Sequence, residues 1–187
     1  MTDYGDLLLD AVRCAHEAGN IHLSYFRKVG LSIQAKRNNE SDIVTAADKA
    51  AEAAILNFIH NRYPTHSILS EESGEEVREA EYEWVIDPLD GTTNFSSGLP
   101  EFSVSIGIRH CGVTVVGVVY APYLNELFHA VRGEGHFLTG KGLRVETRRR
   151  STVAWWPQGF PSTRTATPTT ISTMCRACCR LCEVSGG

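Results

Sequence analysis

Trp84-Val-Ile-Asp87-Pro-Leu-Asp90-Gly-Thr92-Thr-Asn94-Phe95 is an apolar strand that runs straight into a carboxylate-rich turn. Packing gives no reason for its acids. Asp87 and Asp90 stand three apart across a proline, and Gly91-Thr92-Thr93 follows, so two carboxylates and a run of free backbone amides come close together. Such a place attracts a divalent cation and a phosphate at once.

Upstream, two more acidic clusters precede this turn. Leu7, Leu8, Val12, Ala15, Ala18 and Ile21 recur at helical spacing, which predicts an amphipathic helix from 3 to about 28 that ends near Gly30. Leu31 to Ala35 alternates apolar and polar and reads as a short strand, followed by a polar turn, Arg37-Asn-Asn-Glu-Ser41. In Asp42-Ile-Val-Thr45-Ala-Ala-Asp48, Thr45 stands three residues before Asp48 at capping-box spacing, and a second helix is expected from about 46 to 62, before Pro64. Asp48 then has two readings: an acid favoured by the helix dipole in a first turn, or a member of a site. Ile68-Leu69-Ser70-Glu71-Glu72-Ser73 again places carboxylates at the end of a short apolar strand. Adjacent glutamates there are ordinarily just solvated, but this is the second acidic strand end in a chain of modest size.

Downstream, Phe102 to Arg109 and Val113 to Pro122 read as strands of a hairpin joined by His110-Cys111-Gly112, and Leu127 to Val131 as another strand. Asn125, Gly133-Glu-Gly135 and Gly140-Lys-Gly142 mark turns, the last before Leu143 to Val145. No strand-turn-helix unit surrounds these glycines, so hairpin turns explain them better than a nucleotide-binding loop. From about Thr147 the pattern lapses. Arg148-Arg149-Arg150, Trp155-Trp156-Pro157, a Thr/Ser/Pro-rich run and Cys175, Cys178, Cys179 and Cys182 show neither period, which gives residues 147–187 little means of building core. The four thiols have the spacing of a zinc or iron–sulfur knuckle but no scaffold around them.

At 187 residues and a net charge of -4, the chain is long enough for a sizeable core and offers no basic surface for nucleic acid or an anionic membrane. The first 25 residues carry charges at helical spacing rather than an unbroken apolar run, and no stretch of 18 apolar residues occurs, so neither a signal peptide nor a membrane span is expected. Six cysteines without a secretory signal point to a reducing, cytoplasmic setting.

With three acidic clusters in order, the sequence resembles the inositol monophosphatase family of magnesium-dependent phosphatases. Asp87 to Phe95 reproduces the family's Asp-Pro-x-Asp-Gly-Thr-Thr-Asn-Phe signature without a gap. Asp42-x-Val-Thr45-x-x-Asp48 and Ser70-Glu71-Glu72-Ser73 match two other motifs, and the likeness covers roughly residues 3 to 146. The resemblance implies an α/β (α+β) layered sandwich of the sugar-phosphatase type, whose N-terminal portion, residues 1–146, holds two helices and a large, mainly antiparallel sheet. It further implies two or three Mg2+ ions, held by Glu71, Asp87, the carbonyl of Leu89, and Asp90, with Asp87 bridging. Magnesium prefers oxygen ligands and keeps several waters, so a few carboxylates suffice, and paired ions stabilise the attacking and leaving oxygens of an in-line displacement. Thr92, oriented by Asp48, is expected to position the attacking water; the amides of Gly91 and Thr92 would hold phosphate oxygens, and Glu72 would stand outside the ligand set.

Thr93-Asn94 favours an inositol-phosphate or similar sugar monophosphate over 3'-phosphoadenosine 5'-phosphate, whose related phosphatases share Ser-Glu-Glu and Val-Val-Tyr-Ala-Pro but carry Lys-Glu there. A homodimer is possible by family resemblance. The family's later Trp-Asp-x-Ala-Ala/Gly motif is missing, and the last aspartate of the chain is Asp90. Gly159-Phe160-Pro161 still resembles a family fragment, after which threonine-rich text stands where Asp- and Asn-rich text belongs. Threonine codons shifted by one base yield such residues, so the tail is expected to be read out of frame from between about 147 and 160. The chain as written is expected to bind magnesium weakly and turn over slowly or not at all. A non-catalytic binding protein that keeps the metal and phosphate pocket, and a cysteine-knuckle interaction module, are the readings from other classes.

Overall fold

The computed structural model describes residues 4–34, 40–138 and 141–142. Two helices come first: α1, Gly5–Gln34, and α2, Glu40–Arg62. The strands are β1 (Ser67–Ser70), β2 (Gly74–Glu76), β3 (Tyr82–Asp90), β4 (Ser103–His110), β5 (Val113–Ala121), β6 (Glu126–Val131), β7 (Gly135–Leu138) and β8 (Lys141–Gly142), with a short helix α3, Thr92–Ser96, after β3. They form one sheet in the order β2-β1-β3-β4-β5-β6-β7-β8, parallel between β1 and β3 and antiparallel elsewhere. The expected architecture of two helices and a mainly antiparallel sheet is therefore present.

Sequence periodicity explains the layering. On α1, Leu7, Ala11, Cys14, Ala15 and Ala18 are buried at helical spacing, and on α2 Ala47, Ala51, Ile55 and Ile59 are. The alanines let the two helices lie close to each other and to the sheet, where Ile68, Trp84, Ile86, Val104, Ile106, Ile108, Val116, Val118 and Tyr120 complete the same core. A second, smaller core joins Ala47, Leu89, Phe95 and Phe102 to Tyr25, Phe26, Ile43 and Val44. Its rings meet edge to face or tilted: Phe26–Phe102 centroids lie 4.9 Å apart and Phe95–Phe102 centroids 4.8 Å apart. This cluster pins both main helices to the segment that leaves β3.

Two expectations at the N-terminus are corrected. Leu31 to Ala35 does not begin a strand, because α1 continues through Gly30 to Gln34. Extending a formed helix adds a hydrogen bond per residue, whereas a five-residue alternation forms a strand only beside a partner. Likewise α2 begins at Glu40, so Thr45 is not a cap and Asp48 lies in the helix interior, too far from the first turn for the dipole reading. Leu143 to Val145, the polar turn from Arg37 to Asn39 and residues 147–187 lie outside the described residues. The hairpin at Cys111-Gly112 is as expected, and both of its turn residues have positive φ, 49° and 75°.

Candidate functional site

The parallel pairing of β1 with β3 sets Ser70 beside Ile86, so the chain leaves β1 into Glu71 just where β3 delivers Asp87. In β3, the ladder with β4 jumps from Asp87–Ser105 to Asp90–Ser103, so three steps of one strand face two of the other. Pro88 occupies this bulge, where its missing N–H costs no ladder bond. The bulge turns the strand end so that Asp87, 2% exposed, and Asp90 are both retained beside the Glu71 turn.

After Asp90 the chain reverses at Gly91, with φ 87° and ψ 36°. A side chain is excluded there twice over, since a Cβ would lie 2.8 Å from the Glu101 carbonyl oxygen and 3.3 Å from Phe102 Cα. The reversal starts α3, whose Phe95 N–H donates to Gly91 O at 2.9 Å. No side chain caps α3. Thr92 and Thr93 are exposed at its start, and Asn94 ties the turn to β4's approach by donating to Glu101 O at 2.8 Å.

Six acids from three segments share one electrostatic environment. Burial raises the Asp87 carboxyl far above the usual carboxylate range, and the charges of Glu71, Asp90 and Asp48 raise it further. Asp48, 6% exposed on α2, is raised by burial, then by Glu72, Glu52 and Glu71. Asp90 is raised by burial and Glu71, with partial relief from the Gly91 N–H and the Ser103 hydroxyl. Glu71 and Glu72 form an exposed rim above these buried acids.

The test for a cation is whether this donor set lacks something. Asp48 Oδ1 and Asp87 Oδ2 are buried and have no hydrogen-bond partner among the described residues. Orphaned carboxylate oxygens in a crowd of like charge are unfavourable without a counter-charge, and all-oxygen donors suit a hard divalent ion. No three His, Cys, Asp or Glu side chains among the described residues already close into a cage. Magnesium does not need one, because it retains much of its water. The residues therefore fit Mg2+.

The fold brings together Asp48, Glu71, Asp87 and Asp90, along with Leu89 and Gly91 on the same segment. Asp48 Oδ1 has no hydrogen-bond partner among the described residues, and the Gly91 N–H is directed at the Asp90 carboxylate. Sequence reasoning missed Glu52, Ser70, Ser73 and Ser103. Glu52 was visible in principle as an acid four residues after Asp48, set among alanines on the face that α2 buries.

Comparison with known proteins gives the family and the fold. The model of the inositol monophosphatase family matches residues 6–183, which runs past the point near 147 where the periodic pattern lapses. A Pasteurella multocida protein called Nus factor SuhB is 51% identical over 157 residues, 83% of this chain and 58% of that protein. The extragenic suppressor protein suhB of Bartonella henselae superposes with a TM-score of 0.68 at 36% identity, covering 78% of this chain and 56% of that one. Inositol monophosphatase from Anabaena gives 0.66 at 39% identity, covering 78% and 52%. The chain thus spans a little over half the length of the relatives it matches.

Proposed function

Because the chain belongs to the inositol monophosphatase family, we propose that residues 1–146 form the metal-binding portion of a magnesium-dependent phosphatase that hydrolyses a phosphate monoester of a small polyol or sugar, inositol 1-phosphate being the type. The observation that carries this reading is the set of buried, mutually repelling carboxylates around Asp87 with two orphaned oxygens. Glu71, Asp87, the Leu89 carbonyl and Asp90 would hold the ions, two or three in number. Magnesium, when bound, supplies the positive charge that a phosphoryl group in transfer requires.

The remaining work falls to the chain's own groups. The exposed Thr92 hydroxyl is free to hold the attacking water in line with the phosphorus, and Asp48 accepts a proton from it. The amides of Gly91 and Thr92 would take the phosphate oxygens. Glu72 raises the negative potential without joining the ligand set. Thr93-Asn94 favours a polyol over 3'-phosphoadenosine 5'-phosphate, which stays as the alternative substrate. A cytoplasmic setting and a homodimer belong to the same proposal; no described helix is long and apolar enough to cross a membrane.

Phosphate release from inositol 1-phosphate, with and without magnesium, tests the assignment. Magnesium-dependent release that Asp87→Asn abolishes supports it, and no release in the presence of magnesium counts against it. A second reading draws on the relative's name, a Nus factor: the pocket binds metal and phosphate without hydrolysis and serves a protein partner. Calorimetric magnesium binding with no phosphate release favours it.

A further inference from the structure

We infer that Glu52 is a positioning residue for the metal site, holding the Ser70–Ser73 turn so that Glu71 is presented to Asp87. The inference rests on the reading of Glu71 and Asp87 as metal ligands. Glu52 is 7% exposed, on the face of α2 that also carries Asp48 one turn earlier. Its Oε1 accepts from the Ser70 hydroxyl and from the Ser73 N–H, the latter at 3.0 Å. These two donors bracket Glu71 and Glu72. Between them, the Glu71 N–H donates to Ile86 O at 3.1 Å, tying the turn to β3 one residue before Asp87. The turn is thus anchored before, within and after the dipeptide.

A further acid so near Asp48 has an electrostatic cost, since the Glu52 charge is among the causes that raise the Asp48 carboxyl. An acid retained in such a place needs an offsetting role, and one oxygen that serves two donors across a four-residue turn provides it. Without this acceptor, the buried Ser70 hydroxyl loses its partner and the rim that carries Glu71 loses its attachment to α2. Groups that orient a ligand in this way commonly account for about 10- to 100-fold in metal affinity.

The test uses the full chain, with manganese and magnesium as probes. Manganese affinity is read by electron paramagnetic resonance, magnesium affinity by calorimetry, and protection of the Glu71 and Ser73 amides by hydrogen exchange. Glu52→Ala should weaken manganese binding about 10- to 100-fold and deprotect both amides. Glu52→Gln, whose amide oxygen still accepts both bonds, should recover most of the affinity. Ser70→Ala, which removes one donor and leaves α2 intact, gives the same direction should Glu52→Ala fail to fold. Wild-type binding together with unchanged affinity in Glu52→Ala and Ser70→Ala overturns the inference alone. A wild-type chain that takes up no metal overturns the metal-site reading, and with it the purpose given to Glu52.

Discussion

Single ionisable residues give this chain two opposing dependences on pH. Asp87 has its carboxyl raised above the ordinary 3.8, so its protonated form suits the metal-free fold. Its contribution to stability is full below the ordinary carboxylate range and is lost as pH rises toward neutrality and beyond. Asp87→Asn removes that loss: in metal-free buffer at pH 8 the variant should unfold at a higher urea concentration than the wild type, while binding no magnesium. Equal or lower stability would show that the site holds no buried charge in the metal-free state. His22 runs the other way. It is fully buried, edge-on to Phe95 and Phe102, with neither ring nitrogen partnered among the described residues, and burial lowers its pKa from 6.5 to about 4. The neutral ring is the one that fits, so stability is full above the ordinary value and falls as pH drops through that window, by up to about 3 kcal/mol at pH 4. His22→Leu should flatten this slope in urea titrations between pH 7 and 4.5; an unchanged slope would assign the acid sensitivity elsewhere.

At the scale of elements, the turn after β3 is where backbone geometry and site coincide. Gly91→Ala forces a left-handed residue and drives a Cβ against the Glu101 carbonyl, so it should cost roughly 2–4 kcal/mol in urea unfolding. Gly112→Ala, also at positive φ but in open space, should cost only about 1 kcal/mol. A similar cost for both would mean that the close approach to Glu101 is relieved by a small shift of the loop. Elements such as these were largely legible from sequence, because strands β3 to β6 have apolar runs bounded by Gly, Pro and Asn, and because the turn chemistry is local. The end of α1 and the start of α2 were not legible. Leu31 to Ala35 carries a strand-like alternation that helix propagation overrides, and Thr45 looks like a cap only if nothing helical precedes it. Within the site, Asp48, Asp87 and Asp90 could be read from acids in motifs, whereas Glu52 could not be assigned. Its partners Ser70 and Ser73 are 18 and 21 residues away, and only the placement of α2 against the end of β1 brings them together.

On the scale of the molecule, the difficulty lies in how a site that draws on several segments behaves in a chain spanning 58% of a relative. On the proposed assignment these carboxylates attract a cation, since burial and mutual repulsion make Asp48, Asp87 and Asp90 unfavourable without one. Binding to the folded state alone must then stabilise it by mass action, by about 2.7 kcal/mol at a ligand concentration 100 times Kd. Turnover asks for more than attraction, because phosphoryl transfer depends on positioning the nucleophile, the phosphate and the leaving oxygen together. Titrating magnesium should raise the thermal midpoint progressively, and Glu71→Gln should reduce that response, because on the proposed assignment Glu71 is one of the groups that meet the cation. A midpoint that rises equally in the wild type and in Glu71→Gln would place the cation's binding energy outside these residues.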